Sequence, residues 1–282
     1  MTTRAGACAL LILTQGLIAC SSKSSQPVGS SIAPTPIAAA PTLRLNGYVY
    51  DTAFRPIAGA AVEVIDGPQA GMALTSESNG HFTYTGTFPS AVTIRATKIG
   101  YAPATETARI YPAGAWVYFD LVSIVPAVDV AGNYLLTIAA DPSCTMLPDA
   151  VRTRDYSVRV GPANTTTPVP GLYDAFATSG EFAPYGNGFE IGVSGDYVGI
   201  TTIGEGPTLV EKVGENRYIA YSIDAGVRDV TSGATTIAAP FSGMIEYCEL
   251  ASPIGQYYDC SSSYLKREQC TAAGGLLRLT RR

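Results

Sequence analysis

From residue 43 onward the chain alternates apolar and polar positions in short runs, and no long stretch carries a helical period. In Leu43-Arg-Leu-Asn-Gly-Tyr-Val-Tyr50, Leu43, Leu45 and Val49 fall on one side, while Arg44, Asn46, Tyr48 and Tyr50 fall on the other. That two-residue period is the mark of a half-buried strand. Residues 60–65 repeat it with Val62 and Val64 inward, and further strands are predicted near 72–76, 81–85, 92–98, 104–110 and 116–122. Pro56 lies in a turn region at 51–58, and Asn79-Gly80 supplies the positive φ of a tight hairpin. In the last of these strands Val117, Phe119 and Leu121 point inward, which leaves Trp116 and Tyr118 outward. Short strands at this spacing, punctuated by turn residues, imply a β-sandwich.

A second series begins near residue 132. Strands are predicted at 132–140 and 154–160, then near 172–178, 187–194, 196–203, 208–213, 216–224, 237–248 and 275–281. The segments 195–196, 214–216 and 224–226 read as hairpin turns. Eight or nine antiparallel strands in succession suit an up-and-down barrel, which has no open edges. A barrel of that size either fills its interior with side chains or holds one small ligand. The connector 124–129 is apolar, so the two parts are predicted to touch. The expected fold is all-β: a β-sandwich at 43–124 followed by an antiparallel β-barrel at 130–282.

The first 42 residues follow a different pattern. Arg4 precedes an apolar run over 7–18, which ends in Leu17-Ile18-Ala19-Cys20 and is followed by Ser21-Ser22. This order resembles the signal peptide of a bacterial lipoprotein. The resemblance implies that residues 1–19 are removed and that Cys20 receives lipid (palmitate among its acyl chains). The chain would then meet the membrane through a lipid anchor in the cell envelope. Ser21, where inner-membrane retention uses Asp, implies the outer membrane. Residues 20–42 are rich in Ser, Pro and Ala and cannot bury enough surface to offset their ordering entropy, so a disordered tether is expected. Extended at ~3 Å per residue, it would reach about 60 Å.

Two further resemblances concern the folded parts. Gly47-Tyr-Val-Tyr-Asp51, Pro56-Ile-Ala-Gly-Ala-Ala-Val62, Gly80-His-Phe82 and Lys98-Ile-Gly-Tyr101 together resemble the carboxypeptidase regulatory-like domain. That resemblance implies a seven-stranded, transthyretin-like sandwich grouped with carbohydrate-binding folds; it does not imply a peptidase, because in that family the module is an accessory to a separate catalytic domain. Gly132-Asn-Tyr134 and Arg278 resemble the lipocalin arrangement, in which a ring of the first strand packs against an arginine of the last. Here Tyr134 stands where lipocalins have Trp.

Charge and cysteines narrow the picture. With 18 basic and 23 acidic residues the chain has a net charge of −5, which argues against a phosphate-binding surface, since that relies on clustered Lys and Arg, so nucleic acid is not an expected partner. Besides Cys8 and Cys20 there are Cys144, Cys248, Cys260 and Cys270, an even number that suits two disulfides in an oxidising compartment. Four cysteines allow three pairings. Cys260 with Cys270 and Cys144 with Cys248 is the simplest. No Cys-x-x-Cys is present, so neither metal nor cofactor is expected.

The candidate ligand-binding residues are the outward aromatics Tyr48, Tyr50, Trp116 and Tyr118. Rings with a polar edge make platforms for sugars, and they equally favour packing between domains. Catalysis finds little support. His81 is the sole histidine and is expected to be exposed beside the Asn79-Gly80 turn. Asp141, Asp149, Glu181, Glu190 and Asp196 offer carboxylates, but glycoside hydrolysis needs a pair about 5–10 Å apart in a cleft. No catalytic residue is assigned. The expectation is a non-enzymatic envelope protein that binds carbohydrate. The alternatives are a structural role docking a protein partner, or a barrel that binds a small ligand.

Overall fold

A computed structural model describes residues 42–165, 169–202, 209–252, 264–271 and 274–282. The expected signal, Cys20, nearly all of the tether, and Cys260 lie outside the described residues. Residues 40–282 make one compact unit.

The N-terminal strands are β1 (Leu43–Asp51), β2 (Ala61–Val64), β3 (Ala73–Thr75), β4 (His81–Gly86), β5 (Ala91–Thr97), β6 (Ala104–Arg109) and β7 (Ala115–Leu121). They form two facing sheets, ordered β4-β1-β7 and β3-β2-β5-β6. Every pair is antiparallel except β1 with β7, which run parallel. Between the sheets lies one core that includes Leu45, Val49, Val62, Phe82, Tyr84, Ile94 and Phe119. The strands match the sequence reading closely because each has one face in this core and one in solvent.

The remaining strands are β8 (Gly132–Ala139), β9 (Thr153–Pro162), β10 (Leu172–Ala177), β11 (Phe182–Ser194), β12 (Tyr197–Thr201), β13 (Leu209–Gly214), β14 (Arg217–Val227), β15 (Thr236–Leu250), β16 (Tyr264–Cys270) and β17 (Gly275–Arg281). Eight of them, β8-β9-β10-β11-β13-β14-β15-β17, close on themselves as an antiparallel barrel. The long strands β11 and β14 each pair with β13 along one half and with β12 along the other. In the same way β15 pairs with β17 through its first half and with β16 through its second. Inward side chains such as Tyr134, Leu136, Tyr156, Phe189, Ile219, Tyr221, Ile237 and Leu279 fill the enclosed volume. The loop after β8 closes over this core, burying Cys144, Leu147 and Val151.

Four sequence expectations are corrected here. Residues 224–226 are not a turn but part of β14, where Gly226 makes room for the Tyr197 hydroxyl: a Cβ there would stand 1.9 Å from it. β16 was not anticipated, because Tyr-Leu-Lys-Arg-Glu-Gln-Cys shows no alternation and is held as an edge strand by β15 alone. The disulfide joins Cys144 to Cys270 rather than to Cys248, since the buried β8–β9 loop lies against the end of β16. Cys248 is also disulfide-bonded, to a partner outside the described residues. Lastly, Arg278 points to solvent, and Arg281 takes the place expected for it. The Arg281 guanidinium lies 5.2 Å from the Tyr134 ring centroid and donates to its hydroxyl at 2.9 Å.

Sandwich and barrel meet through the β1–β2 turn. The buried Asp51 carboxylate organises this turn, accepting from the Ala53 and Arg55 amides at 3.0 Å and from the Arg55 guanidinium at 2.6 and 2.8 Å. Thr52 donates to the Val193 carbonyl of β11 at 2.5 Å, and the Arg55 guanidinium lies 4.2 Å over the Tyr197 ring of β12. The turn rests on paired glycines, Gly192 of β11 and Gly199 of β12. A Cβ on Gly192 would stand 2.0 Å from the Thr52 carbonyl oxygen, and one on Gly199 2.4 Å from that of Ala53. Only glycine lets the two backbones come so close.

Candidate functional site: an aromatic face running into a cleft

The parallel pairing of β1 and β7 sets Asn46 beside Trp116, Tyr48 beside Tyr118 and Tyr50 beside Asp120. Since alternate residues of a strand share a face, these outward side chains line up in two adjacent rows. The Tyr48 ring centroid lies 6.0 Å from that of Trp116 and 6.1 Å from that of Tyr118, with interplanar angles of 9° and 14°. Tyr50 continues the row 5.7 Å from Tyr48 at 21°, and Trp116 and Tyr118 are 6.5 Å apart at 17°. All four predicted rings therefore come together, nearly parallel, on one side of one sheet. Trp116 and Tyr118 remain 55% and 59% exposed, so this face is not covered by the barrel. Burial, together with the neighbouring rings of Tyr48 and Tyr118, pushes the Tyr50 hydroxyl up from its usual range.

His81 belongs to this face, contrary to the exposed turn position expected for it. It opens β4 opposite Tyr48 and is half-buried, with its ring 5.1 Å from that of Tyr48 and 6.4 Å from that of Trp116. Its Nε2 lies 3.4 Å from the Thr83 hydroxyl, which donates to Asn46 Oδ1 at 2.9 Å. The rings thus carry a polar border of amide, hydroxyl and imidazole. Period-two counting along β4 puts His81 on the outward face, but only the β1–β4 register places it against Tyr48.

Both rows lead toward a cleft of about 760 Å³ between sandwich and barrel. Its walls include Tyr50, Phe54, Arg55 and Asp120 from the sandwich, and Glu190, Tyr197 and Asp224 from the barrel. Solvent still reaches Asp120, yet desolvation by the surrounding walls and then the carboxylates of Glu106 and Asp51 push its carboxyl up. Glu190 is raised in the same direction by burial, then by Asp174 and by Asp120 itself. Of the five carboxylates singled out in the sequence, Glu190 alone lines this cleft. Asp141 accepts from the Ser143 amide, Asp149 pairs with Arg152, Glu181 pairs with Lys212, and Asp196 is exposed in the β11–β12 turn. Glu211, by contrast, is buried inside the barrel, where it accepts from the Tyr156 hydroxyl at 2.8 Å and takes both arms of the Arg154 guanidinium. Its oxygens are occupied, which suits a structural role. Among the described residues no group of three or more His, Cys, Asp or Glu is placed to hold a metal ion.

Fold and site together define an all-β protein in which a sandwich bearing a solvent-facing aromatic sheet is seated on a closed, filled barrel. Residues 44–118, which span that sandwich from β1 into β7, match the carboxypeptidase regulatory-like domain family. Among solved structures the chain is similar to that described as "Structure of the Streptococcal ancillary pilin", at 12% identity over 68% of this chain and 60% of that one, with a TM-score of 0.23. It is also similar to "The Bacillus anthracis TIE protein", at 12% identity over 82% of this chain and 48% of that one, with a TM-score of 0.26. The chain therefore spans less than two thirds of either structure. No curated protein matches it. Among the described residues no helix is long and apolar enough to cross a membrane.

Proposed function

We propose that this chain is a non-enzymatic lipoprotein of the cell envelope, anchored through lipid on Cys20 at the outer membrane, whose sandwich presents a glycan-binding face. The observation that carries the reading is the set of four near-parallel rings, Trp116, Tyr118, Tyr48 and Tyr50, held on one open sheet face. Stacking on such rings needs no moving part, because the register of β1 with β7 holds them in place before a ligand arrives. The polar border of Asn46, Thr83 and His81 supplies donors and acceptors for sugar hydroxyls.

The test is binding of the full chain, held in detergent, to an array of glycans and peptidoglycan fragments, with Trp116→Ala alongside. Specific binding that weakens about tenfold or more in the variant is the expected result, the size of effect seen when a stacked aromatic anchor is removed. Binding that is indifferent to Trp116 removes the aromatic face from the function. A protein-docking role is favoured by a separate observation. Ile99 is 98% exposed, and Ile124 and Val125, also exposed, are held next to it by the Ile124 amide on the Gly100 carbonyl at 3.0 Å. Capture of an envelope protein that is lost with Ile99→Lys and kept with Trp116→Ala would favour that role.

A further inference from the structure

The aromatic rows do not end at the edge of the sandwich. Tyr50 lies 5.7 Å from Tyr48 and is also part of the cleft wall, and Asp120 follows Trp116 and Tyr118 at alternate positions of β7 and lines the same cleft. Because β1 and β7 run parallel, both rows advance in the same direction, from Trp116 toward the barrel. At about 3.3 Å of rise per residue, Trp116 to Asp120 covers about 13 Å before the cleft begins. The open face and the enclosed cleft are thus one continuous track, flat and aromatic at one end and walled on two sides at the other.

The two ends differ in charge. Asp120, Glu190 and Asp224 bring three carboxylates to the cleft, while its Arg55 is already committed to Asp51 through both arms of its guanidinium. None of the three carboxylates has a hydrogen-bond or ion-pair partner among the described residues. The rings at the entrance add to the same preference, since the faces of Trp and Tyr attract cations. Among the described residues Arg55 is the one cation lining the cleft, which favours a ligand that brings positive charge of its own.

We infer that this cleft is the charged subsite of the glycan track, and that the ligand is a linear glycan whose sugars carry free amino groups, with neutral sugar rings on the aromatic face and an ammonium group between Asp120 and Glu190. The inference rests on the glycan reading above and adds the charge and length of the ligand to it. Burial first, and then neighbouring carboxylates, push Asp120 and Glu190 up, and an ammonium bound between them would draw both back down. Trp116 and Tyr118 act as stacking platforms, Tyr50 as the ring at the entrance, and Asp120 and Glu190 as the acceptors of the ammonium.

The experiment is calorimetric titration of the full chain in detergent with a fully deacetylated glucosamine hexamer, its N-acetylated counterpart, the deacetylated dimer, and a lysine hexapeptide. The variants are Trp116→Ala and the isosteric pair Asp120→Asn with Glu190→Gln, whose thermal unfolding confirms that they fold. The wild type is expected to bind the deacetylated hexamer about tenfold or more tightly than the acetylated one. The paired variant should lose that preference yet keep its affinity for the acetylated hexamer, and Trp116→Ala should weaken both. Equal affinity for the two hexamers, an undiminished preference in the paired variant, or a dimer that binds as well as the hexamer overturns the cleft subsite and leaves the aromatic face standing. Tighter binding of the lysine peptide than of any glycan overturns it in favour of a protein ligand. Binding of no glycan overturns both readings at once.

Discussion

Single residues show how this protein handles buried polarity. Glu211 is 3% exposed and is held in the barrel by Arg154 and the Tyr156 hydroxyl, which also shares a 2.8 Å hydrogen bond with Tyr221. Removing the cation leaves a carboxylate buried without its partner, and desolvation is then no longer offset. Arg154→Ala should therefore cost about 3 kcal/mol in urea unfolding, at the low end for a broken buried pair because the tyrosine contact survives. The buried phenols predict a loss of stability in alkali. Burial pushes Tyr84 from the usual 10.0 to about 12, and its hydroxyl donates to the Val62 carbonyl at 2.5 Å. The unfolded chain releases this proton first, so the contribution is fully present below pH 10 and is lost as pH rises through about 12. Tyr156 and Tyr221 are raised in the same direction by burial. A denaturation series across that window should show falling stability, with a shallower fall in Tyr84→Phe. None of these partnerships could be read from the sequence. Arg154, Glu211 and Tyr221 lie on β9, β13 and β14, and barrel closure brings them together.

At the scale of elements, strands with one face in a core were legible and strands held by edge pairing were not. β1 to β7 follow the apolar alternation because the pleat turns sequence parity directly into inside and outside. β16 escaped because its charged residues reveal nothing of the β15 backbone that captures it. Asp224-Ala-Gly226 was misread for a related reason: glycine serves turns and close approaches alike, and only the Tyr197 side chain crossing over Gly226 shows which applies. The same logic governs the seat of the sandwich on the barrel. Gly192→Val would drive its side chain into the Thr52–Phe54 backbone, where a Cβ alone already stands 2.0 Å from an oxygen. Calorimetry should then resolve two unfolding transitions, with both cores kept, where the wild type is expected to unfold in one. A single unchanged transition would show that the turn does not couple them.

Across the whole molecule, the Cys144–Cys270 bridge spans 126 residues and ties the β8–β9 loop to the end of β16. For a closed loop of that size, chain entropy predicts a loss of about 4–5 kcal/mol when the bridge is absent. Paired Cys144→Ala and Cys270→Ala should show that loss in guanidinium unfolding, with no effect expected on binding at the aromatic face, which lies on other strands. The proposed anchor is tested separately. Cys20→Ser should release the chain from washed membranes, and retention would point to another attachment. The sequence by itself determined that the chain is all-β, which residues of most strands face inward, that Tyr48, Tyr50, Trp116 and Tyr118 face outward, and that the region 43–124 resembles the carboxypeptidase regulatory-like domain, whose family model matches 44–118. Those properties depend on local periodicity and on short motifs, which survive without knowledge of the rest of the chain. Tertiary structure alone decided which strands became neighbours. It made β1 and β7 parallel partners, so that four rings became one face. It joined Cys144 to Cys270, gave Tyr134 to Arg281, filled the barrel, and set Asp120 across a cleft from Glu190. Each of these pairs residues far apart in the chain, and their meeting follows from how the sheets close and seat on each other, which no local pattern encodes.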